Sequence, residues 1–234
     1  YPMKVTLRAF DIGTDKYTKH IAKREENPAL GFRGIRFLLS QRDYFKSQIR
    51  AVLRASRNKN VRLMLPMITS IEEVIQTQAL INECKKELSE SHLTFDDNLE
   101  LGIMIETPSS ALLSDELAKI CNFFSIGTND LTQYTLAVDR DNELLVDYYN
   151  PFSKSVLRLM SIIVNSAHKN NIPVAICGEM ANHPAATSLL VGLGIDELSV
   201  SPSVVLEIKQ TIINLSYADS KKNVIDMINL NNLF

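Results

Sequence analysis

Residues 123–134 read Phe-Phe-Ser-Ile-Gly-Thr-Asn-Asp-Leu-Thr-Gln-Tyr, and the chain continues to an arginine at position 140. The stretch predicts a short apolar strand that ends at Gly127 and a helix that follows at once and carries Arg140. Asn129 and Asp130 then lie at the strand tip beside exposed backbone N–H groups. A carboxylate, an amide and a guanidinium together suit a metal-bound, multiply charged anion. The simpler alternative, that Asn129 and Asp130 only cap the helix, does not account for the arginine.

Composition and charge are those of an ordinary globular protein. The 234 residues are 45% hydrophobic and 22% charged, and 25 Lys and Arg nearly balance 27 Asp and Glu, for a net charge of −2. This balance indicates neither a nucleic-acid-binding nor a membrane-binding surface, and we expect no membrane insertion because no apolar run approaches the roughly 20 residues of a membrane helix. The three cysteines have no metal-ligand spacing, which favours a reducing compartment, the cytoplasm, over a disulfide framework.

Strand-like and helical patterns alternate along the chain. The predicted strands are short apolar runs, typical of strands buried on both faces of a parallel sheet, at Lys4–Phe10, Val61–Ile68, Leu99–Ile105, Phe123–Gly127, Val174–Cys177 and Glu197–Ser201. Helical patterns lie between them at Arg42–Arg54, Ser70–Glu90, Ser109–Ala118, Ser153–Lys169, Ala185–Leu193 and Ser203–Ile213. The Asn-rich residues 223–234 predict either a last helix or a frayed end. The alternation predicts a parallel sheet with helical crossovers and leaves an open sheet and a closed barrel as alternatives.

Four further motifs place polar residues at predicted strand tips or in the loops after them. They are Leu7-Arg8-Ala9-Phe10-Asp11, Leu30-Gly31-Phe32-Arg33-Gly34, Gly102-Ile103-Met104-Ile105-Glu106-Thr107-Pro108 and Ile176-Cys177-Gly178-Glu179. An arginine buried in a strand is costly without an anionic partner, so Arg8 indicates either an ion pair with Asp11 or a bound anion. Glu106 closes an apolar strand, where packing explains it poorly and a role as a metal ligand explains it well.

The remaining arginines and cysteines differ in how strongly they indicate a functional site. The glycines on either side of Arg33 allow a close backbone approach and a guanidinium that reaches inward. Arg36, one helical turn later, is expected to be solvated or peripheral, and Arg62 suits a phosphate contact and a structural role equally well. Cys84 and Cys121 fit the usual pattern of small buried hydrophobic residues, whereas Cys177 ends a strand beside a glycine.

In this order, the motifs resemble the phosphoenolpyruvate-utilising enzyme family. The block from Ser125 to Arg140 looks most like the Enzyme I branch, which serves sugar phosphotransfer, rather than the dikinase and phosphoenolpyruvate synthase branches. The resemblance runs from Leu7 to about Ile213 and implies a (β/α)8 TIM barrel with its chemistry at the carboxyl ends of the strands. Residues 1–234 would form one catalytic domain of a longer protein. Because the family has a strand before the one at 4–10, the first barrel strand and helix are expected to be missing here.

The resemblance also implies a set of site residues. Glu106 and Asp130 would hold Mg²⁺, and Cys177 would be the acid–base for the methyl carbon of pyruvate. Phosphoenolpyruvate would be bound by Arg8, Arg33, Asn129, Asp130 and Arg140.

Partners follow from the same resemblance. In the family the phosphoryl group passes to a histidine of an N-terminal domain and then to a histidine-containing phosphocarrier protein, and the catalytic domain is a homodimer. His20, His92, His168 and His183 match no phosphohistidine motif, so the acceptor is expected outside this chain. Two other function classes remain open: a Mg²⁺-dependent lyase or aldolase barrel acting on an enolate, and a ligand-sensing dimerisation module without activity of its own.

Overall fold

The computed structural model describes residues 3–11 and 25–229. In this part of the chain, one six-stranded sheet has its strands in chain order, and the recorded pairings are parallel. The strands are β1 (Val5–Arg8), β2 (Val61–Leu65), β3 (Leu101–Ile105), β4 (Phe123–Gly127), β5 (Val174–Cys177) and β6 (Glu197–Leu198). Parallel neighbours need long crossovers, and most of these crossovers are helical. The predicted parallel α/β architecture is therefore confirmed.

The α-helices of the described residues fill most of the intervals between strands. They are α1 (Gly34–Ser40), α2 (Arg42–Ala55), α3 (Ile71–Glu90), α4 (Pro108–Leu112), α5 (Ser114–Leu117), α6 (Thr128–Leu136), α7 (Lys154–Lys169), α8 (Thr187–Leu193), α9 (Val205–Asn214) and α10 (Tyr217–Asn229). None of them is long and apolar enough to cross a membrane.

Three helix predictions differ from the structure. Helix α1 was not predicted because it starts at a glycine after Arg33, which makes no side-chain cap. The predicted single helix at Ser109–Ala118 is two helices, which meet at Leu113. At the end of the chain a helix is present and begins at Tyr217, earlier than the predicted Asn223. Residues 230–234 of that tail lie outside the described residues.

The chain divides into two compact units. Unit one comprises Tyr1–Met104 and Ile120–Asn122. In it, α1, α2 and α3 pack against one another, and helix α3 starts at a capping box in which Ser70 and Glu73 bond each other's backbone. Strand β2 is almost wholly buried and pairs with β1 in the register Arg8 to Met64, which places the end of β1 beside the end of β2.

Unit two comprises Ile105–Lys119 and Phe123–Phe234. Helix α7 packs on β4 and β5, and its apolar face, which includes Leu157, Met160 and Ile163, is fully buried. Helices α8 and α10 touch at Gly192, where an added Cβ would lie 2.3 Å from the carbonyl oxygen of Ser220. This packing leaves the carboxyl ends of β4 and β5 side by side, in the register Gly127 to Cys177.

Candidate active site

In unit two, the turn from β4 into α6 carries a buried carboxylate. Asp130 lies in the first turn of α6 and its side chain is only 9% exposed, a position where the helix dipole favours negative charge. The helix ends at Leu136 because Ala137 takes a left-handed conformation, with φ 54°. The prediction that this helix carries Arg140 is therefore wrong, since the arginine lies four residues beyond the helix end.

The loop after α6 nevertheless brings Arg140 back to the start of the helix. Its backbone N–H donates to Oε1 of Gln133 at 3.1 Å, which fixes the loop on the helix. Its Nη1 lies 3.5 Å from Oδ1 of Asp130, and the side chain is partly exposed. The arrangement places a partly accessible guanidinium beside a buried carboxylate, as an anion-binding site beside a metal would require.

Glu106, which also belongs to unit two, directly follows β3 and is 2% exposed. The next residue, Thr107, caps α4 by accepting a hydrogen bond from the N–H of Ser110 at 3.1 Å. The cap explains why the chain turns sharply after the strand and leaves Glu106 at its tip. No group of three or more His, Cys, Asp and Glu side chains within residues 3–11 and 25–229 is arranged to hold a metal ion. A metal here would therefore have at most two carboxylate ligands and would need oxygen atoms from water or substrate.

Cys177 ends β5, where its thiol meets β4. Its Sγ donates to the carbonyl oxygen of Ile126 at 3.5 Å and accepts from the hydroxyl of Ser125 at 3.4 Å. The other two cysteines are buried, as the sequence predicts. Burial raises the pKa of Cys121 to about 12 and also raises the pKa of Cys84, so both are poor nucleophiles and acids. Cys177 is the partly exposed thiol of the three.

Two side chains after β4 hold the loop after β5. The hydroxyl of Thr128 donates to the carbonyl oxygen of Cys177 at 3.1 Å, and Oδ1 of Asn129 accepts from the N–H of Glu179 at 3.1 Å. Between these two bonds lies Gly178, with φ +104°, where an added Cβ would be 2.4 Å from Oγ1 of Thr128. Only glycine fits there. Because its oxygen accepts from the N–H of Glu179, the other polar group of the Asn129 amide is its Nδ2, which is a donor.

Sequence reasoning missed Tyr149, whose hydroxyl donates to the backbone carbonyl of Asn129 at 3.2 Å. Burial raises the pKa of Tyr149 above its ordinary value, and the charge of Arg140 opposes this. The tyrosine follows the 3-10 segment Glu143–Tyr148, outside every motif. Nothing in its sequence position indicates this contact.

Unit one carries a second charged cluster. Arg33 donates to both oxygens of Asp11, from Nε at 3.0 Å and from Nη2 at 2.5 Å. Arg8 ends β1 with its Nη1 3.9 Å from Asp11 Oδ2 and its side chain 47% exposed. The prediction treated Arg8 as buried, and this is wrong because the strand ends at this residue. Asp11 therefore pairs mainly with Arg33.

The other arginines of this unit have backbone and hydroxyl partners. Arg36 donates from Nη1 to the carbonyl oxygens of Leu30 and Gly31, so it is a structural residue of the preceding turn rather than a solvated one. Arg62 is 7% exposed and donates to the Thr6 hydroxyl at 2.6 Å, which favours its structural role.

The predicted close backbone approach beside Arg33 is confirmed. Gly34 has φ +55°, and a Cβ there would lie 2.7 Å from the Cβ of Met67. Of the four histidines, His168 pairs with Asp196 at 2.9 Å, and His20 lies outside the described residues.

Comparison with known proteins identifies the family. Residues 1–217 match the domain described as "PEP-utilising enzyme, PEP-binding domain". The chain belongs to the phosphoenolpyruvate-utilising enzymes. Among curated relatives named phosphoenolpyruvate-protein phosphotransferase, it is 46% identical over 216 residues to the one from Haemophilus influenzae, with 92% of this chain and 38% of the relative covered. The one from Bacillus subtilis is 41% identical over 218 residues, with 93% and 38% covered.

The chain thus spans about two fifths of the length of the phosphoenolpyruvate-utilising relatives it matches. A solved citrate lyase from Burkholderia xenovorans LB400 shares the fold, with a TM-score of 0.53 and 14% identity over 78% of this chain and 58% of that one. The family match extends over both charged clusters described above, so the arginine–aspartate pair of unit one and the carboxylates of unit two belong to one family domain.

Proposed function

We propose that this chain is the catalytic domain, over residues 1–234, of a phosphoenolpyruvate-protein phosphotransferase of the Enzyme I type. It binds phosphoenolpyruvate with Mg²⁺, delivers the phosphoryl group to a histidine of another domain and releases pyruvate. The observation that carries the proposal is the arrangement of unit two, where Arg140 lies beside buried Asp130 and Cys177 is tied to the same turn by Thr128. The names of the relatives support the reaction class.

For the fold, we propose a (β/α)8 barrel whose first strand and helix this chain lacks; of the other seven strands, the described residues contain six. Strands in chain order with parallel recorded pairings are what successive units of such a barrel would contribute. The chemistry would then lie at the carboxyl ends of the strands. Glu106, Asn129 and Cys177 follow or end three successive strands there.

The substrate carries a phosphate and a carboxylate, and guanidinium groups can bind either through two parallel hydrogen bonds. We assign this role to Arg8, Arg33 and Arg140, with the Asn129 amide as a neutral donor. Arg33 is held in one orientation by Asp11, and Arg140 by its backbone bond to Gln133. Such preorganisation lowers the entropy lost on binding.

The donor set fits Mg²⁺ because Glu106 and Asp130 are both buried carboxylates, and Mg²⁺ takes one or two protein carboxylates with substrate oxygens and water. Glu106 and Asp130 would hold the ion. When bound, it would neutralise the charge that develops on the enolate oxygen.

Cys177 would supply the proton. After the phosphoryl group has left, carbon 3 of the enolate takes the thiol proton and the sulfur keeps the electron pair as a thiolate, which water then reprotonates. Because the hydroxyl of Thr128 and the amide of Asn129 hold the loop after Cys177, the thiol keeps a fixed place relative to Asp130.

The acceptor would be a histidine of an N-terminal domain, which passes the phosphoryl group to a histidine-containing phosphocarrier protein. We place the protein in the cytoplasm as a homodimer, without membrane insertion or nucleic-acid binding. Its net charge of −2 does not indicate a nucleic-acid-binding or membrane-binding surface.

Exchange of the methyl hydrogens of pyruvate with D2O tests the proposal on this chain alone. Exchange requires proton transfer between Cys177 and carbon 3 in both directions and needs no phosphoryl acceptor. With Mg²⁺ present, proton NMR should show loss of the methyl signal in the wild type. Cys177→Ser should slow it by roughly 10²–10⁴-fold, the usual range for general acid–base catalysis. Cys84→Ser, at a buried cysteine in unit one, is the matched control and should retain exchange. Equal rates with and without the wild-type protein would refute the proposal.

A further inference from the structure

Ser125 is the one polar side chain in the buried strand β4, whose sequence is Phe-Phe-Ser-Ile-Gly. It is 4% exposed, and a buried hydroxyl needs a hydrogen-bond partner because burying it without one costs free energy. That partner is the sulfur of Cys177, 3.4 Å from Oγ. A serine in this strand is therefore accounted for by the thiol, not by packing.

The register of the two strands makes the contact specific. Ser125 lies opposite Ala175, and Gly127 lies opposite Cys177. Side chains alternate between the two faces of a strand, so Ser125 shares its face with Gly127. Cys177, paired with Gly127, lies on that face as well, and Ser125 meets its sulfur there.

Two bonds with opposite roles then meet at the sulfur. The thiol proton is donated to the carbonyl oxygen of Ile126 at 3.5 Å, and the serine hydroxyl donates to the sulfur at 3.4 Å. The carbonyl can accept only from the protonated thiol, whereas the hydroxyl can donate to both the thiol and the thiolate. A donor to the charged form favours that form.

We infer that Ser125 is a positioning residue for the proton step: it directs the Cys177 thiol and stabilises the thiolate left after the proton has gone to carbon 3. The inference rests on the proposed function for its catalytic meaning, but the contact itself is independent of it. In the step, the S–H bond breaks and a C–H bond forms at carbon 3. The sulfur retains the electron pair, and the serine hydroxyl keeps its own proton throughout.

Charged groups also lie on the elements next to this thiol. Glu179 follows it in the next 3-10 turn, Asp130 lies in the first turn of α6, and Arg140 lies beside Asp130. A substitution at Ser125 changes none of these charges. A difference between the wild type and a Ser125 variant therefore reports the hydroxyl.

The test is the pH dependence of Cys177 alkylation by iodoacetamide, measured by mass spectrometry of the Cys177 peptide in the folded chain. Ser125→Ala only removes an oxygen, so it introduces no clash. The pH of half-maximal alkylation should rise by about half a unit to one unit, the equivalent of one net hydrogen bond. Ser125→Thr keeps the hydroxyl and should return the midpoint towards the wild-type value.

An unchanged midpoint in Ser125→Ala would overturn the inference, as would a midpoint in Ser125→Thr equal to that in Ser125→Ala. Pyruvate methyl exchange in D2O is measured on the same proteins and should fall about threefold to tenfold in Ser125→Ala, following the midpoint shift. Failure of the proposed function has a different signature. In that case the wild type shows no exchange, while the alkylation midpoints still decide whether Ser125 acts on the thiol.

Discussion

Asp11 and Arg33 form a two-point ion pair, with Nε of the arginine 3.0 Å from Oδ1 and Nη2 2.5 Å from Oδ2. The aspartate side chain is 4% exposed and that of the arginine 16%. Gly34 follows the arginine with φ +55°, packed on Met67. The pair therefore holds the guanidinium in one orientation, and the backbone that follows it is closely packed.

Replacing Asp11 should weaken both stability and ligand binding. Asp11→Asn leaves the Arg33 charge without its counter-ion, and the loss of hydrogen bonds to charged groups should lower the free energy of unfolding by about 1.5–3 kcal/mol. Glu100→Gln is the control: its pair with Lys4 is exposed, at 36% and 57%, and should contribute less than about 1 kcal/mol. Urea unfolding measures the free energy of unfolding of both variants. Equal losses of this free energy would mean that the Asp11 pair is no more than a surface contact.

Arg140 and Arg36 should differ in their effect on phosphoenolpyruvate affinity. Arg140 is partly exposed beside Asp130, and truncating one partner of a charge-assisted pair in a desolvated site costs about 2–5 kcal/mol. Arg140→Ala should therefore weaken binding by at least about tenfold, which corresponds to 1.4 kcal/mol. Arg36 donates to carbonyls of its own turn, so Arg36→Ala should leave affinity unchanged. Calorimetry gives the dissociation constants, and an equal rise of the dissociation constant in both variants would contradict the assignment.

Gly178→Ala should damage the site, and Gly194→Ala should damage stability alone. Gly194 has φ +91° with its nearest neighbour 3.4 Å from an added Cβ, so alanine there costs roughly 1–2 kcal/mol of backbone strain. Gly178 has φ +104° and ψ −178°, a conformation that costs a non-glycine residue about 1–3 kcal/mol. The Cβ of an alanine there would also meet the Thr128 hydroxyl. Thermal unfolding should show lower stability in both variants. The rate of pyruvate methyl exchange should fall only in Gly178→Ala. Retained exchange there would show that the loop after Cys177 tolerates displacement.

The cysteines should react with alkylating reagents in a fixed order. Because burial disfavours the thiolate and raises the pKa of Cys121 to about 12, roughly one molecule in 10⁴ carries that thiolate at pH 8. Cys84 is shifted in the same direction. At pH 8 the reagent should alkylate Cys177 first in the folded chain. In denaturant, all three cysteines should be alkylated at similar rates. Modification of Cys121 as fast as Cys177 without denaturant would contradict the buried assignment.

The sequence predicts those elements best whose ends carry a local signal. Strands β4 and β5 begin and end at their predicted residues, since Gly127 and Gly178 mark the turns that follow them. Helix α1 lacks a capping residue, and α6 ends at an alanine in a left-handed conformation, which nothing in the local sequence indicates. These two elements depend on packing rather than on propensity.

The site follows the same division. Glu106 follows β3, Cys177 ends β5 and Asp130 lies in the helical turn directly after β4, and their motifs predict these positions. The contacts of Ser125 with the thiol and of Thr128 with the Cys177 carbonyl depend on the register between β4 and β5. Both residues lie in the stretch 123–134. Register is a tertiary property, however, so these contacts could not be predicted from the sequence of that stretch.

The proposed metal site makes the affinity for phosphoenolpyruvate depend on two carboxylates. Glu106→Gln keeps the size of the side chain and removes its charge, so it should abolish any gain in affinity from Mg²⁺. Glu116→Gln, an exposed position on α5 in the same unit, is the matched control and should keep that gain. Loss of the gain in both variants would point to a general charge effect.

The most direct test of the account is a calorimetric titration of phosphoenolpyruvate into the wild-type chain, once with Mg²⁺ and once with EDTA. Since the substrate would complete the coordination of an ion held by Glu106 and Asp130, we expect one molecule bound per chain with Mg²⁺ and binding at least about tenfold weaker in EDTA. Binding of equal strength under both conditions, or no binding in either, would contradict the central claim.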